Sequence, residues 1–156
     1  MQKTDTVLER ERPEVIVDFI FRQGVLHVAV ANIGAAPAHD VTVKFDKAFR
    51  GLGGEREVSS LALFRRLPFL APHKSIETLL DSSSAYFARR EPTRITAEVT
   101  WRDTERRAYE RKIVHDLAIY KDIAYIVQPS VPAASGGTAP SVRTGSSGIW
   151  EKKYGG

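Results

Sequence analysis

The chain has 156 residues, 42% of them apolar and 27% charged, the size and balance of one globular domain plus a tail. It contains no cysteine, which excludes a disulfide framework, a thiolate metal site and a cysteine nucleophile. The formal charge is +4, but residues 1–127 hold 20 Lys and Arg against 18 Asp and Glu, so the foldable part is nearly neutral and lacks a nucleic-acid footprint.

Residues 1–12 are polar and charged, so they are expected to be disordered. They have no apolar core of the kind a secretory signal needs, which points to a cytoplasmic protein; an envelope location would require an upstream segment. No apolar run approaches the roughly 20 residues of a membrane-spanning helix.

From Pro13 the pattern changes. Val15, Val17, Phe19 and Phe21 alternate with polar residues and predict a first strand, closed by a tight turn at Arg22-Gln23-Gly24. Leu26, Val28 and Val30 alternate in the same way, and so do Val41, Val43 and Phe45. Asn32, Gly34 and Pro37 break the pattern between these two runs, so the chain turns there. Two amphipathic strands joined by such a loop describe the middle of a β-sandwich.

Gly51-Leu52-Gly53-Gly54 completes neither a phosphate-binding loop nor a dinucleotide fingerprint, and is expected to be a flexible connection. Val58, Leu61, Phe64 and Leu67 predict a helical turn capped by Ser59 or Ser60, with a short strand after it. Ala71-Pro72-His73-Lys74 reads as a turn leading into a strand whose Ile76, Thr78 and Leu80 face inward. Asp81 and the serines after it open a short helix carrying Tyr86 and Phe87, which stops before Glu91-Pro92.

Ile95, Ala97, Val99 and Trp101 then alternate with Thr96, Glu98 and Thr100, and a charged hairpin over residues 102–107 returns the chain through Tyr109, Ile113 and His115. Residues 117–127 are too apolar to hang free and should clamp against the sandwich, with helical and extended backbone both open. The folded domain is thus read as residues 13–127. Residues 128–156 are rich in Pro, Ala, Ser, Gly and Thr and are expected to be a disordered tail. Within that tail Trp150 and Tyr154 stand among small residues and are the candidate docking motif for a partner protein; the alternative is a passive linker.

Asn32-Ile33-Gly34 followed by Ala36-Pro37-Ala38-His39-Asp40-Val41-Thr42-Val43 resembles a passage of bacterial immunoglobulin-like domains of the CARDB type. Phe69-Leu70-Ala71-Pro72-His73-Lys74-Ser75 is similar to their characteristic turn, and Thr100-Trp101-Arg102-Asp103 with Tyr109 to their last hairpin. The resemblance spans about residues 13–118 and implies an all-β, immunoglobulin-like sandwich of about seven strands. It also implies adhesion at the cell surface or envelope. His73 replaces the usual Gly of the turn, so a type I turn is expected there.

No catalytic or metal-binding pattern emerges. The four histidines, His27, His39, His73 and His115, lack ligand spacing, and adjacent residues such as His39 and Asp40 point to opposite faces of a strand. Ser82, His115 and Asp116 form a triad on paper only, with no nucleophile elbow around any serine. Three arginine doublets, Arg65-Arg66, Arg89-Arg90 and Arg106-Arg107, lie in predicted connections. Arg22, Lys47, Arg50, Arg56, Arg89 and Arg90 should gather at one end of the sandwich, balanced there by Asp46, Glu55, Glu57, Asp81 and Glu91. The expectation is a non-catalytic protein-interaction or structural module without cofactor or metal. The alternative is a carbohydrate- or small-ligand-binding domain.

Overall fold

Alternation becomes strand wherever it was clear. The structure, a computed structural model, describes residues 11–127. The apolar run after Pro13 forms β1 (Val15–Arg22), and the next two form β2 (Val25–Asn32) and β3 (Ala38–Phe45). Two short strands, β4 (Arg50–Gly51) and β5 (Arg56–Glu57), pair only with each other. There follow a single helical turn, α1 (Ala62–Arg65), then β6 (Leu67–Leu70), β7 (Ser75–Ser82) and a second short helix, α2 (Ser83–Ala88). The last strands are β8 (Arg94–Arg102) and β9 (Ala108–Asp116).

Seven of these strands make two antiparallel sheets, β1-β2-β7 and β6-β3-β8-β9. The chain is an all-β sandwich of the immunoglobulin-like kind, with short helical turns at its ends. Between the sheets lie the inward residues of both: Val15, Val17, Phe19, Leu26, Val28 and Val30 from one, and Val41, Val43, Ile95, Ala97, Val99 and Trp101 from the other. Phe45 joins them at the edge of Phe49 and of Phe64, each 4.9 Å away between ring centres, in the tilted geometry aromatic quadrupoles favour.

Asn32 stitches the two sheets at the crossover from β2 to β3. Its Oδ1 accepts from the backbone N–H of Glu14 (3.1 Å) and of Gly34 (3.0 Å), and its Nδ2 donates to the carbonyls of Ala36 (2.8 Å) and Leu70 (3.2 Å). A buried amide with four partners is fully satisfied, so it costs nothing in lost hydration. Gly34 follows because a Cβ there would collide with the backbone of Arg12 and Glu14. The Asn-x-Gly spacing is a packing requirement.

Several local expectations are corrected. The glycine-rich connection is an ordered hairpin: Gly51 sits so close to the Leu80 carbonyl that no side chain fits, and Gly53 N–H donates to Asp81 at 3.1 Å. Helix α1 is preceded by Leu61, with no side-chain cap; Ser59 instead accepts the Phe49 N–H with its hydroxyl. His73 has φ +60°, so the turn from Ala71 to Lys74 takes positive φ at its third residue, as in type II and against type I. The turn carries the chain from β6 in one sheet to β7 in the other, and histidine enters the left-handed region at small cost. The Gln23-Gly24 turn has φ +46° and +83°, the mirror-image hairpin turn that matches strand twist.

Leu117–Tyr120 forms a 3-10 turn, and the chain then runs irregularly to residue 127. The segment does clamp: Tyr120 stacks on Phe21 at 5.6 Å, and Tyr125 meets Phe21 and covers Gly24. The tail, with Trp150 and Tyr154, lies outside the described residues, as do residues 1–10. Arg12 is described, and its guanidinium lies over the Tyr109 ring at 5.9 Å.

Candidate functional site: an arginine-lined cavity beside the β3 bulge

Strand β3 carries one residue more than β8 between the pairs His39–Arg102 and Thr42–Thr100. The irregularity centres on Asp40, at φ +49°. A bulge re-aims the side chains around it. His39 and Asp40, expected on opposite faces, therefore line one cavity of about 340 Å³ together with Arg66, Pro68, Arg102, Asp103, Thr104 and Arg106. Strict alternation fails here because the extra residue breaks the pleat.

Arg66 reaches the cavity from the connection between α1 and β6 and binds Asp40, Nη2 to Oδ1, at 2.7 Å. That hydrogen bond is the main reason the Asp40 carboxyl is held below the usual carboxylate range, against the opposing effect of burial. The charges of Arg66, Arg106 and Arg102 add to it, so all three guanidinium groups act on one carboxylate.

Asp103 organises the opposite wall. It accepts from the backbone N–H of Glu105 and Arg107 (2.9 Å each), from Arg107 Nε (2.8 Å) and from the Tyr109 hydroxyl (2.8 Å). Burial alone would raise its pKa; the Arg107 backbone N–H, the Tyr109 hydroxyl and the Arg107 guanidinium outweigh it and hold the carboxyl ionised. The hairpin is thereby shaped so that Arg106, at φ +68°, turns toward the cavity. Arg102 Nη1 donates to the Arg106 carbonyl at 3.0 Å and ties the two arginines together.

Both acids thus have cationic partners, Arg66 for Asp40 and Arg107 for Asp103. Arg102 and Arg106 form no ion pair among the described residues. Glu110 lines a neighbouring hollow of about 280 Å³ with Arg102 and does not pair with it either. Phe69 of β6 does not line the cavity but stands beside its His39, 55% exposed, the two rings edge-on at 5.5 Å. The arrangement offers charged, fork-shaped donors and an aromatic face.

The other predicted groups are spent structurally. Arg89 holds the buried Asp81 at 2.7 Å, reaches Glu91 at 3.5 Å and donates to the Arg50 carbonyl. Arg22 pairs with Glu77, and Lys47 donates to the Arg94 carbonyl. Ser82 caps α2 through Ala85 N–H, His115 Nε2 bonds the Val17 carbonyl, and Asp116 takes Ala118 N–H, so the paper triad is not assembled. No group of three or more potential ligands suited to a metal ion occurs among the described residues. Arg66 and Arg106, one from each of two arginine doublets, enter the cavity, while Arg107 serves the hairpin. Arg102 was missed because it lies on an otherwise regular strand; the charge at its hairpin end was the only signal.

No curated protein and no solved structure matches the chain. A family profile described as a domain of unknown function, DUF8453, matches residues 1–121, most of the chain and nearly all of the sandwich; the chain belongs to this family.

Proposed function

We propose that this domain is a non-catalytic interaction module that receives a partner protein at the β6 side of the sandwich. The observation that carries the reading is the exposed Phe69 beside a cavity with two guanidinium groups that have no ion-pair partner among the described residues. Exposed aromatics and arginines are the residue types that dominate protein recognition. Strand β6 is an open edge, shortened to four residues and carrying Pro68, which discourages indiscriminate strand pairing and leaves side-chain recognition as its mode. Kinship with the CARDB-type domains belongs to the same proposal. It is supported by the seven-strand arrangement and by the part Asn32 and Gly34 play at the crossover.

The small-ligand alternative draws on the same cavity, whose volume falls at the low end of ligand pockets. Its open, charged lining suits it less, because such pockets are mostly apolar. The test is a photo-crosslinking residue placed at position 69 and, separately, at position 112 on the far strand β9, in cells. A discrete protein adduct from position 69 and none from position 112 is expected. Equal labelling from both positions, or none, would refute the reading.

A further inference from the structure

The geometry of the cavity points to a specific ligand chemistry, and the inference rests on the interaction reading above. We propose that the cavity binds the phosphoryl dianion of a phosphorylated partner segment, held between Arg102 and Arg106 with its carrier against Phe69. The argument is one of charge count and shape. Asp40 and Asp103 are neutralised internally, by Arg66 at 2.7 Å and Arg107 at 2.8 Å. Arg102 and Arg106, both lining the cavity, are left without an ion-pair partner among the described residues, and Arg102 Nη1 holds the Arg106 backbone carbonyl, which keeps the two residues together.

A single carboxylate occupies one guanidinium fork and leaves the other without a counter-charge. A phosphate monoester carries close to two charges at neutral pH and three acceptor oxygens, so one group satisfies both arginines. Arg66 is held in place by Asp40 and supplies a third positive charge on the opposite side. Asp40 and Arg106 both adopt positive φ, at +49° and +68°, strain kept at two of the residues that line the cavity. Phe69 packs on His39 next to the cavity with half its surface open, so a carrier with an apolar or aromatic body gains contact that a free ion does not.

The test titrates the full chain at pH 7.5 and constant ionic strength with phenyl phosphate, phenyl sulfate, benzoate and inorganic phosphate, read by backbone amide shifts. Phenyl phosphate is a dianion there; phenyl sulfate has the same tetrahedral shape with one charge, and benzoate is a planar monoanion. The expected result is shifts confined to residues 39–40, 66–69 and 102–106, with phenyl phosphate bound at least tenfold more tightly than either monoanion and more tightly than inorganic phosphate. The pair R102Q and R106Q should weaken phenyl phosphate at least tenfold. R56Q, on the remote β5, should not. Phe69→Ala should remove the advantage of phenyl phosphate over inorganic phosphate.

Equal binding of the two tetrahedral esters would show that the second charge is not read, and would overturn the proposal. Inorganic phosphate binding as tightly as phenyl phosphate would assign the cavity to a free ion, and would overturn it as well. The ligand series needs no variant, so a folding defect in the arginine pair cannot obscure the outcome. If phenyl phosphate fails while the cross-link from position 69 persists, only the phosphoryl assignment falls. Loss of that cross-link removes the interaction reading itself.

Discussion

Tyr120 donates its hydroxyl hydrogen to the Phe19 carbonyl, 2.9 Å away and 101 residues earlier in the chain. Two residues before Phe19, the Val17 carbonyl meets His115 Nε2 at 2.8 Å. Farther along, Glu14 pairs with Arg111 at 2.7 Å. Strands β1 and β9 are the free edges of the two sheets on this side, and these contacts close the gap between them. An edge strand otherwise presents a row of unpaired backbone groups to the next molecule. The segment after β9 therefore finishes the fold.

Removing the Tyr120 hydroxyl tests this closure. Tyr120→Phe keeps the stack on Phe21 and should lose about 1 kcal/mol, the usual net worth of such a bond. Tyr120→Ala also loses the stack and should cost about 2 kcal/mol more. Urea unfolding reads both values; equal stability of the phenylalanine variant and the parent would show that the carbonyl is satisfied by water.

Asp81, 1% exposed, depends on Arg89. Arg89→Ala leaves a buried carboxylate without its counter-ion, and a loss of about 3 kcal/mol is expected. Adding Asp81→Asn removes the stranded charge and should recover part of that loss. A double variant as unstable as the two single losses combined would mean that the residues act independently.

Asp103 should matter more for stability than its hairpin position implies. Asp103→Ala strands two backbone N–H groups and the Tyr109 hydroxyl, with an expected loss of about 2–3 kcal/mol. The folded carboxyl titrates below its unfolded value, so its contribution is present above the unfolded pKa and is lost as pH falls through the folded one. Acid unfolding curves should therefore shift to higher pH in Asp103→Asn at matched denaturant.

His27 gives a second pH dependence, in a different window. Its ring lies half-buried on the outer face of the three-stranded sheet, opposite Ile20 and Leu79, with Nδ1 unpartnered. Burial lowers its pKa below the ordinary value of 6.5; Glu77 opposes this and Arg22 adds to it. The unfolded chain takes up the proton more readily, so stability should fall as pH drops from above 6.5 through the folded pKa. His27→Gln should flatten that part of the profile. A parent whose urea midpoint is the same at pH 7.5 and 5.5 would contradict it.

Period-two alternation and turn chemistry determined most of this fold from the sequence alone. The inward residues of β1, β2, β3 and β8 were legible because burying one face of a strand forces alternation. The turn at Gly24 was legible because few residues tolerate its positive φ, and the crossover because Asn32, Gly34 and Pro37 interrupt the alternation. The helix after Asp81 was marked by its cap at Ser82 and its stop at Pro92. Tertiary structure alone decided the rest. The glycine-rich connection is ordered by Leu80 and Asp81, some 30 residues away, which no local pattern records. The turn at His73, which carries the chain from one sheet to the other, takes the left-handed conformation although no glycine stands there to announce it. The cavity depends on one extra residue in β3, and a bulge leaves no mark in hydrophobic periodicity beyond a slipped phase. The bulge turns Asp40 alongside His39, pairing with β8 brings Arg102 opposite His39, and the Asp103 hairpin adds Arg106 to the same cavity. Charges distant in the chain become one site only when register is set, and register is a property of two strands at once.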